Sequence, residues 1–158
     1  LENICSKYVI AVFGPKKSGK TNICSLLQST HKEETLVLFD EPQNYTLELE
    51  HSVHYGFRTN KSAIITTQSC SLADIPPKIR ADFDYVFITD VNRWNVCDRK
   101  KLYKCFLSVV PTFKLFDEIM NTFTTAFECL VLDTTNLNTS TRLEDVLFRY
   151  RPEKHKYK

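Results

Sequence analysis

Eight consecutive residues, Gly14-Pro15-Lys16-Lys17-Ser18-Gly19-Lys20-Thr21, carry the spacing GxxxxGK[ST]. The pattern has a physical logic. Glycines let the backbone wrap closely around a polyphosphate, and successive N–H groups at a helix start face its negative charge. Lys20 is placed to reach the β- and γ-phosphates, and the Thr21 hydroxyl is a hard oxygen donor suited to Mg²⁺. Downstream, Leu36-Val37-Leu38-Phe39 ends in Asp40-Glu41. An acid pair at the carboxyl end of an apolar strand stands where open α/β sheets bind ligands. Asp40 is the candidate for holding the hydrated metal, and Glu41 for polarising a water for in-line attack. That combination favours hydrolysis over transfer to an acceptor. A third apolar run, Ala63-Ile64-Ile65-Thr66-Thr67, ends at Gln68, an amide able to contact both γ-phosphate and attacking water.

The elements that must position these residues are legible as alternating patterns. Continuous β-branched or aromatic runs at Tyr8 to Phe13, Thr35 to Phe39, Ala63 to Thr67, Tyr85 to Ile88 and Cys129 to Leu132 predict strands buried on both faces. Helices are expected over Lys20 to Gln28, Asp98 to Leu107, and from Thr112 as N-cap through Phe113, Phe116, Ile119, Met120 and Phe123. The last set is an apolar stripe that reads as core packing. Strands alternating with helices predict an α/β three-layer sandwich with a mainly parallel sheet. Residues 1–150 are expected to form one domain, and 151–158 a polar tail.

Composition fits this reading and excludes others. The 158 residues are 42% hydrophobic and 25% charged, a balance that supplies a core and excludes dominant disorder. No apolar run approaches the ~20 residues of a membrane span. Leu1-Glu2-Asn3-Ile4 shows no basic region followed by an apolar stretch, so no secretion signal is expected. A net charge of +2 is too modest to mark a dedicated nucleic-acid domain by itself. The six cysteines form no CxxC pair and read as reduced, mostly buried thiols. His51 and His54 lie three apart without a third ligand nearby and read as ordinary surface histidines.

Taken together, Gly14–Thr21, the strand ending in Asp40-Glu41, and Ile64-Ile65-Thr66-Thr67-Gln68 resemble the genome-packaging ATPases of nucleocytoplasmic large DNA viruses, of the FtsK/HerA-type branch. The resemblance extends through Ile75-Pro76-Pro77-Lys78-Ile79-Arg80, Asp84 to Ile88, Arg99 to Tyr103, Pro111-Thr112-Phe113, Glu128 to Asp133 and Leu143 to Tyr150, and is strongest to iridovirus- and mimivirus-like members. It implies a P-loop NTPase sandwich of the additional-strand, catalytic-glutamate type, shortened between the two phosphate motifs. Only 20 positions separate Lys20 from Asp40, where the family has a further strand and helix, so the chain is either a shortened version or lacks a segment near 30–33.

The same resemblance implies an ATP- and Mg²⁺-dependent motor acting as a homo-oligomeric ring on double-stranded DNA. Capsid or portal components would be its partners, and the host cytoplasm, at the assembly site, or the virion its location. A neighbour's arginine would complete the site. Arg58 is one candidate, displaced by one position from the family's Gly-Arg-His, and Arg80 is the other; either equally reads as a surface ion-pairing residue. Lys100, Lys101 and Lys104 are candidates for lining a DNA channel, against a simple solvated helix face. Two other classes stay open: a small P-loop kinase, and a nucleotide-binding assembly subunit without turnover.

Overall fold

The fold is given by a computed structural model, which describes residues 8–29, 36–40, 50–51, 53, 62–68, 75–90, 93–123, 128–137, 139–140 and 142–151. Its elements run β1 (Val9–Phe13), α1 (Lys20–Ser29), β2 (Leu36–Asp40), β3 (Ser62–Thr67), α2 (Pro77–Ala81), β4 (Tyr85–Thr89), α3 (Val96–Phe106), α4 (Phe113–Phe123), β5 (Cys129–Asp133), α5 (Leu143–Val146) and β6 (Leu147–Tyr150). The six strands form one sheet in the order β2-β3-β1-β4-β5-β6. Pairing is parallel from β2 through β3 and β1 to β4, then antiparallel between β4 and β5 and between β5 and β6. The sheet is therefore mixed and mostly parallel, with β3 inserted between β1 and β2, as the additional-strand type requires.

Alternation along each strand divides the apolar residues between two faces. Val9, Ala11 and Phe13 of β1 join Ile65, Ile88 and Leu132 in a core roofed by Leu102 and Phe106 of α3 and Phe116 and Met120 of α4. Ile10 and Val12 face the other way, with Ile64, Phe87 and Val131, against Ile23, Cys24 and Leu27 of α1. All five residues of β1 are buried, as are those of β5, which explains why their sequences run apolar without alternation. The three layers follow directly.

Two helices start at a side-chain cap. The Asn95 side chain accepts the Asp98 N–H at 2.9 Å and caps α3. The Thr112 hydroxyl accepts the Leu115 N–H at 3.2 Å at the start of α4. Such caps stabilise a helix by about 1 kcal/mol each. The expected stripe on α4 packs as anticipated: Phe116 and Met120 are fully buried, and Phe113 and Ile119 lie half-buried against the same core. Arg99 then ties α3 to α4 through Asp117 at 2.6 Å.

At the start of β1 the Asp84 carboxylate accepts the Val9 N–H at 2.8 Å, while the Asp84 N–H donates to the Val9 carbonyl at 2.8 Å. Burial pushes the Asp84 carboxyl above its ordinary range, and the Val9 N–H partly opposes that. The start of β1 is thus fixed to the start of β4, and its other end delivers the Gly14 loop. β6 was not anticipated from the sequence. It is a four-residue edge strand, exposed at Phe148 and Arg149, too short and too polar outward to announce itself. No helix among the described residues is long and apolar enough to cross a membrane.

Candidate functional site

The carboxyl ends of β2, β3, β1 and β4 converge on the Gly14–Thr21 loop. β1 ends at Phe13, the loop follows, and α1 begins at Lys20, so the first turn of the helix opens at the loop. The Gly14 N–H donates to the Thr67 carbonyl at 3.1 Å, which seats the loop on the end of β3. The chain then turns through Lys17, at φ 63°, and Gly19, at φ 95°. Glycine tolerates that region freely, whereas a lysine there carries about 1–2 kcal/mol of strain. Strain of this kind collects where a loop is shaped for a ligand.

Lys20 is 7% exposed, and its ammonium donates to the Gly14 carbonyl at 2.8 Å and the Pro15 carbonyl at 3.1 Å. The cation is thereby held over the mouth of its own loop. Thr21, next along, is exposed on the first turn of α1, and Lys16 and Lys17 are exposed at the loop apex. Ser18 is buried.

Asp40 ends β2 opposite Thr66 of β3, and the buried Thr66 hydroxyl donates to Asp40 Oδ1 in a very short hydrogen bond. That bond orients one carboxylate oxygen and leaves the other for a ligand. Asp40 stands opposite Thr66, and the next residue, Thr67, accepts the Gly14 N–H, which puts Asp40 beside the loop that holds Lys20; both charges act on Cys24, one turn into α1. Burial raises its thiol to about 11, the Asp40 carboxylate adds to the rise, and the Lys20 ammonium opposes it. Gln68 is exposed immediately beyond β3. The structure thus brings together the loop, Lys20, Thr21, Asp40 and Gln68.

One expected residue lies away from its own chain's loop. Arg80 is on α2, which feeds the start of β4, the sheet end opposite the loop, and its guanidinium donates to Cys105 Sγ at 2.9 Å. Glu41 and Arg58 lie outside the described residues. The donor set fits Mg²⁺: a threonine hydroxyl and a carboxylate are hard ligands, and so few suit an ion that keeps waters and takes phosphate oxygens. Among the described residues there is no cluster of three or more His, Cys, Asp or Glu that could cage a metal alone.

Sequence reasoning missed the contribution of β4. Thr89, its last residue, is buried; its hydroxyl donates to the Phe13 carbonyl at 3.1 Å and lies 2.6 Å from Ser18 Oγ. The Thr89 carbonyl accepts from the Trp94 indole at 3.0 Å. Arg93 pairs with Asp90 at 3.0 Å and donates to the Lys16 carbonyl at 3.2 Å. The rule that selected Asp40 and Gln68, a polar residue closing an apolar strand, also applies to Thr89-Asp90.

This sheet order and this loop define the P-loop NTPase fold. No protein-family model matches the chain. Over 78 residues it is 37% identical to an uncharacterized protein of Invertebrate iridescent virus 3, covering 49% of this chain and 28% of that protein. Over 87 residues it is 26% identical to an uncharacterized protein of Acanthamoeba polyphaga mimivirus, covering 52% of this chain and 28% of that one. The match therefore spans little more than a quarter of either relative's length. Among solved structures, the chain is similar to the genome packaging NTPase B204 from Sulfolobus turreted icosahedral virus 2 in complex with AMPPCP. The TM-score is 0.64 at 11% identity, over 92% of this chain and 97% of that one. The complex of B204 with ATP-gammaS gives a TM-score of 0.63 at 10% identity, with the same coverage. These likenesses establish the fold.

Proposed function

We propose that this chain is the ATPase domain of a viral genome-packaging motor of the FtsK/HerA type. The observation that carries the reading is the placement of Lys20 and of the strand end bearing Asp40 at one loop of GxxxxGK[ST] spacing. The likeness to a packaging NTPase that binds ATP analogues, and the relatedness to proteins of two large DNA viruses, support the biological setting.

In this reading residues 14–21 take the triphosphate. Lys20 exchanges its loop carbonyls for β- and γ-phosphate oxygens, and first-turn N–H groups face the remaining charge. Thr21 and Asp40 would hold Mg²⁺, which would supply neutralisation of the negative charge that builds up during phosphoryl transfer. Glu41 takes the proton of the attacking water, and Gln68 senses the γ-phosphate from the end of β3. Arg58 and Arg80 are the two candidates for an arginine supplied to a neighbouring site in a ring; the Arg80 guanidinium donates to Cys105 Sγ. Lys100, Lys101 and Lys104 of α3 would meet DNA phosphates, a few charges per subunit sufficing in a ring. Residues 1–150 form the motor domain and 151–158 a tail, working beside capsid or portal components at the cytoplasmic assembly site.

The test is steady-state ATP hydrolysis with Mg²⁺, with and without linear double-stranded DNA, for the parent chain and Glu41→Gln. Turnover raised by DNA and abolished in Glu41→Gln is the expected result. Failure to bind any nucleotide would overturn the reading. Binding without turnover under either condition would replace the motor by an assembly subunit.

A further inference from the structure

We infer that Thr89 is a positioning residue of the phosphate loop, acting through Ser18, and that the end of β4 clamps the loop into its binding shape. The inference rests on the nucleotide-binding reading above and adds to it a residue from a strand to which no phosphate motif points. The chemistry fixes the direction of the link. Threonine has one hydroxyl hydrogen, and that of Thr89 goes to the Phe13 carbonyl at 3.1 Å. Ser18 must therefore donate to Thr89 Oγ1 across the 2.6 Å contact. Both hydroxyls are buried, so neither has water as a substitute, and the pair holds the loop to the sheet.

Gly14 explains why the pair needs room. A Cβ on Gly14 would lie 1.8 Å from Thr89 Oγ1 and 2.3 Å from Ser18 Oγ. The first glycine of the motif is thus required in part by the Thr89–Ser18 link beneath it. Arg93 adds a second brace, since its guanidinium reaches the Lys16 carbonyl at the loop apex. Asp90, at φ 45°, makes the backward turn that brings Arg93 into place. Two of the loop's residues are therefore held from the β4 side, and Gly14 is held by β3 through a backbone bond.

Thr89→Val removes the hydroxyl with little change of shape, and Thr89→Ser keeps it. Affinity for a non-hydrolysable ATP analogue, AMPPCP, is measured for both beside the parent chain, with melting temperatures taken without nucleotide. The valine variant is expected to bind about tenfold more weakly, the scale of one buried hydrogen bond. The serine variant should bind within about twofold of the parent at an equal melting temperature. In a cycle with Ser18→Ala, the double variant should lose no more affinity than the larger single loss, because both changes cut one link. Parent-like affinity in Thr89→Val, or additive losses in the cycle, would overturn the clamp while leaving nucleotide binding intact. Absence of analogue binding by the parent chain would overturn the underlying reading and the clamp with it.

Discussion

The Lys20 ammonium lies 2.8 Å from the carbonyl of Gly14, the residue that opens the loop Lys20 closes. The carbonyl dipoles of Gly14 and Pro15 orient this buried cation without cancelling its charge. Phosphate oxygens at the same mouth would be stronger partners by the difference between neutral and charge-assisted hydrogen bonds. Lys20→Met, which keeps the aliphatic stem, should therefore weaken ATP binding by about 100-fold, the effect of losing one or two charged hydrogen bonds. Its melting temperature without nucleotide should stay close to that of the parent. Calorimetric titration of both proteins, with melting curves, checks this.

Asp40 and Thr66 make the second expected effect one of rate. The Thr66 hydroxyl is buried and donates to Asp40 Oδ1, so Thr66→Val leaves the carboxylate charge in place and frees its orientation. The misplacement should lower kcat about tenfold with little change in KM, because orientation is needed at the transition state and not for cradle contacts. Asp40→Asn removes the charge itself, so its loss of turnover should exceed that of Thr66→Val. Its activity should recover poorly even at high Mg²⁺. Turnover measured against ATP and against Mg²⁺ separates the two.

What could be read in the sequence follows from physical range. The loop, Lys20, Thr21, Asp40 and Gln68 were legible because each depends on a short spacing or a strand end. β1, β3 and β4 were legible because burial on both faces leaves continuous apolar runs, as in Val9–Phe13. β2 carries the same kind of run but is half-buried to exposed, with Leu38 open to solvent, contrary to the expected burial on both faces. Thr89 was not, because its partners Phe13 and Ser18 are more than 70 positions away and only strand pairing brings them together. The contact of Arg80 with Cys105, 25 positions on, was likewise not legible, because it arises from how α2 and α3 pack. β6 was missed because a short edge strand leaves only a weak alternation.

Phe116 and Met120 give the core a direct test. Both are fully buried on α4 beneath Tyr103 and Phe113, with the Phe116 ring 5.6 Å from that of Tyr103. Phe116→Ala should cost about 3–5 kcal/mol by lost transfer energy and cavity formation. That is a large share of the roughly 5–15 kcal/mol typical of a domain. Met120→Leu nearly conserves volume and should cost less than about 1.5 kcal/mol. Urea unfolding at constant slope measures both. If the two variants lost equal stability, α4 would not be packed as described.

The thiols set a pH dependence whose sign can be worked out. Burial, with Asp40 adding to it, raises Cys24 from 9.0 to about 11, and burial, with Glu128 adding to it, raises Cys129 from 9.0 to about 12. The folded state therefore holds these two protons more tightly than the unfolded state. Their contribution to stability is complete below pH 9.0 and is lost as pH rises, through about 11 for Cys24 and about 12 for Cys129. The urea midpoint should thus fall above pH 9.0, and Cys24→Ala should flatten that fall in its lower part. At pH 8, iodoacetamide should label the exposed Cys97 while leaving Cys24 and Cys129 unmodified in the native protein, because the thiolate is the reactive species. Peptide mass mapping after a timed pulse reads the three sites separately. Rapid native-state labelling of Cys24 would mean that the helix behind Lys20 opens far more readily than its packing against β1 allows.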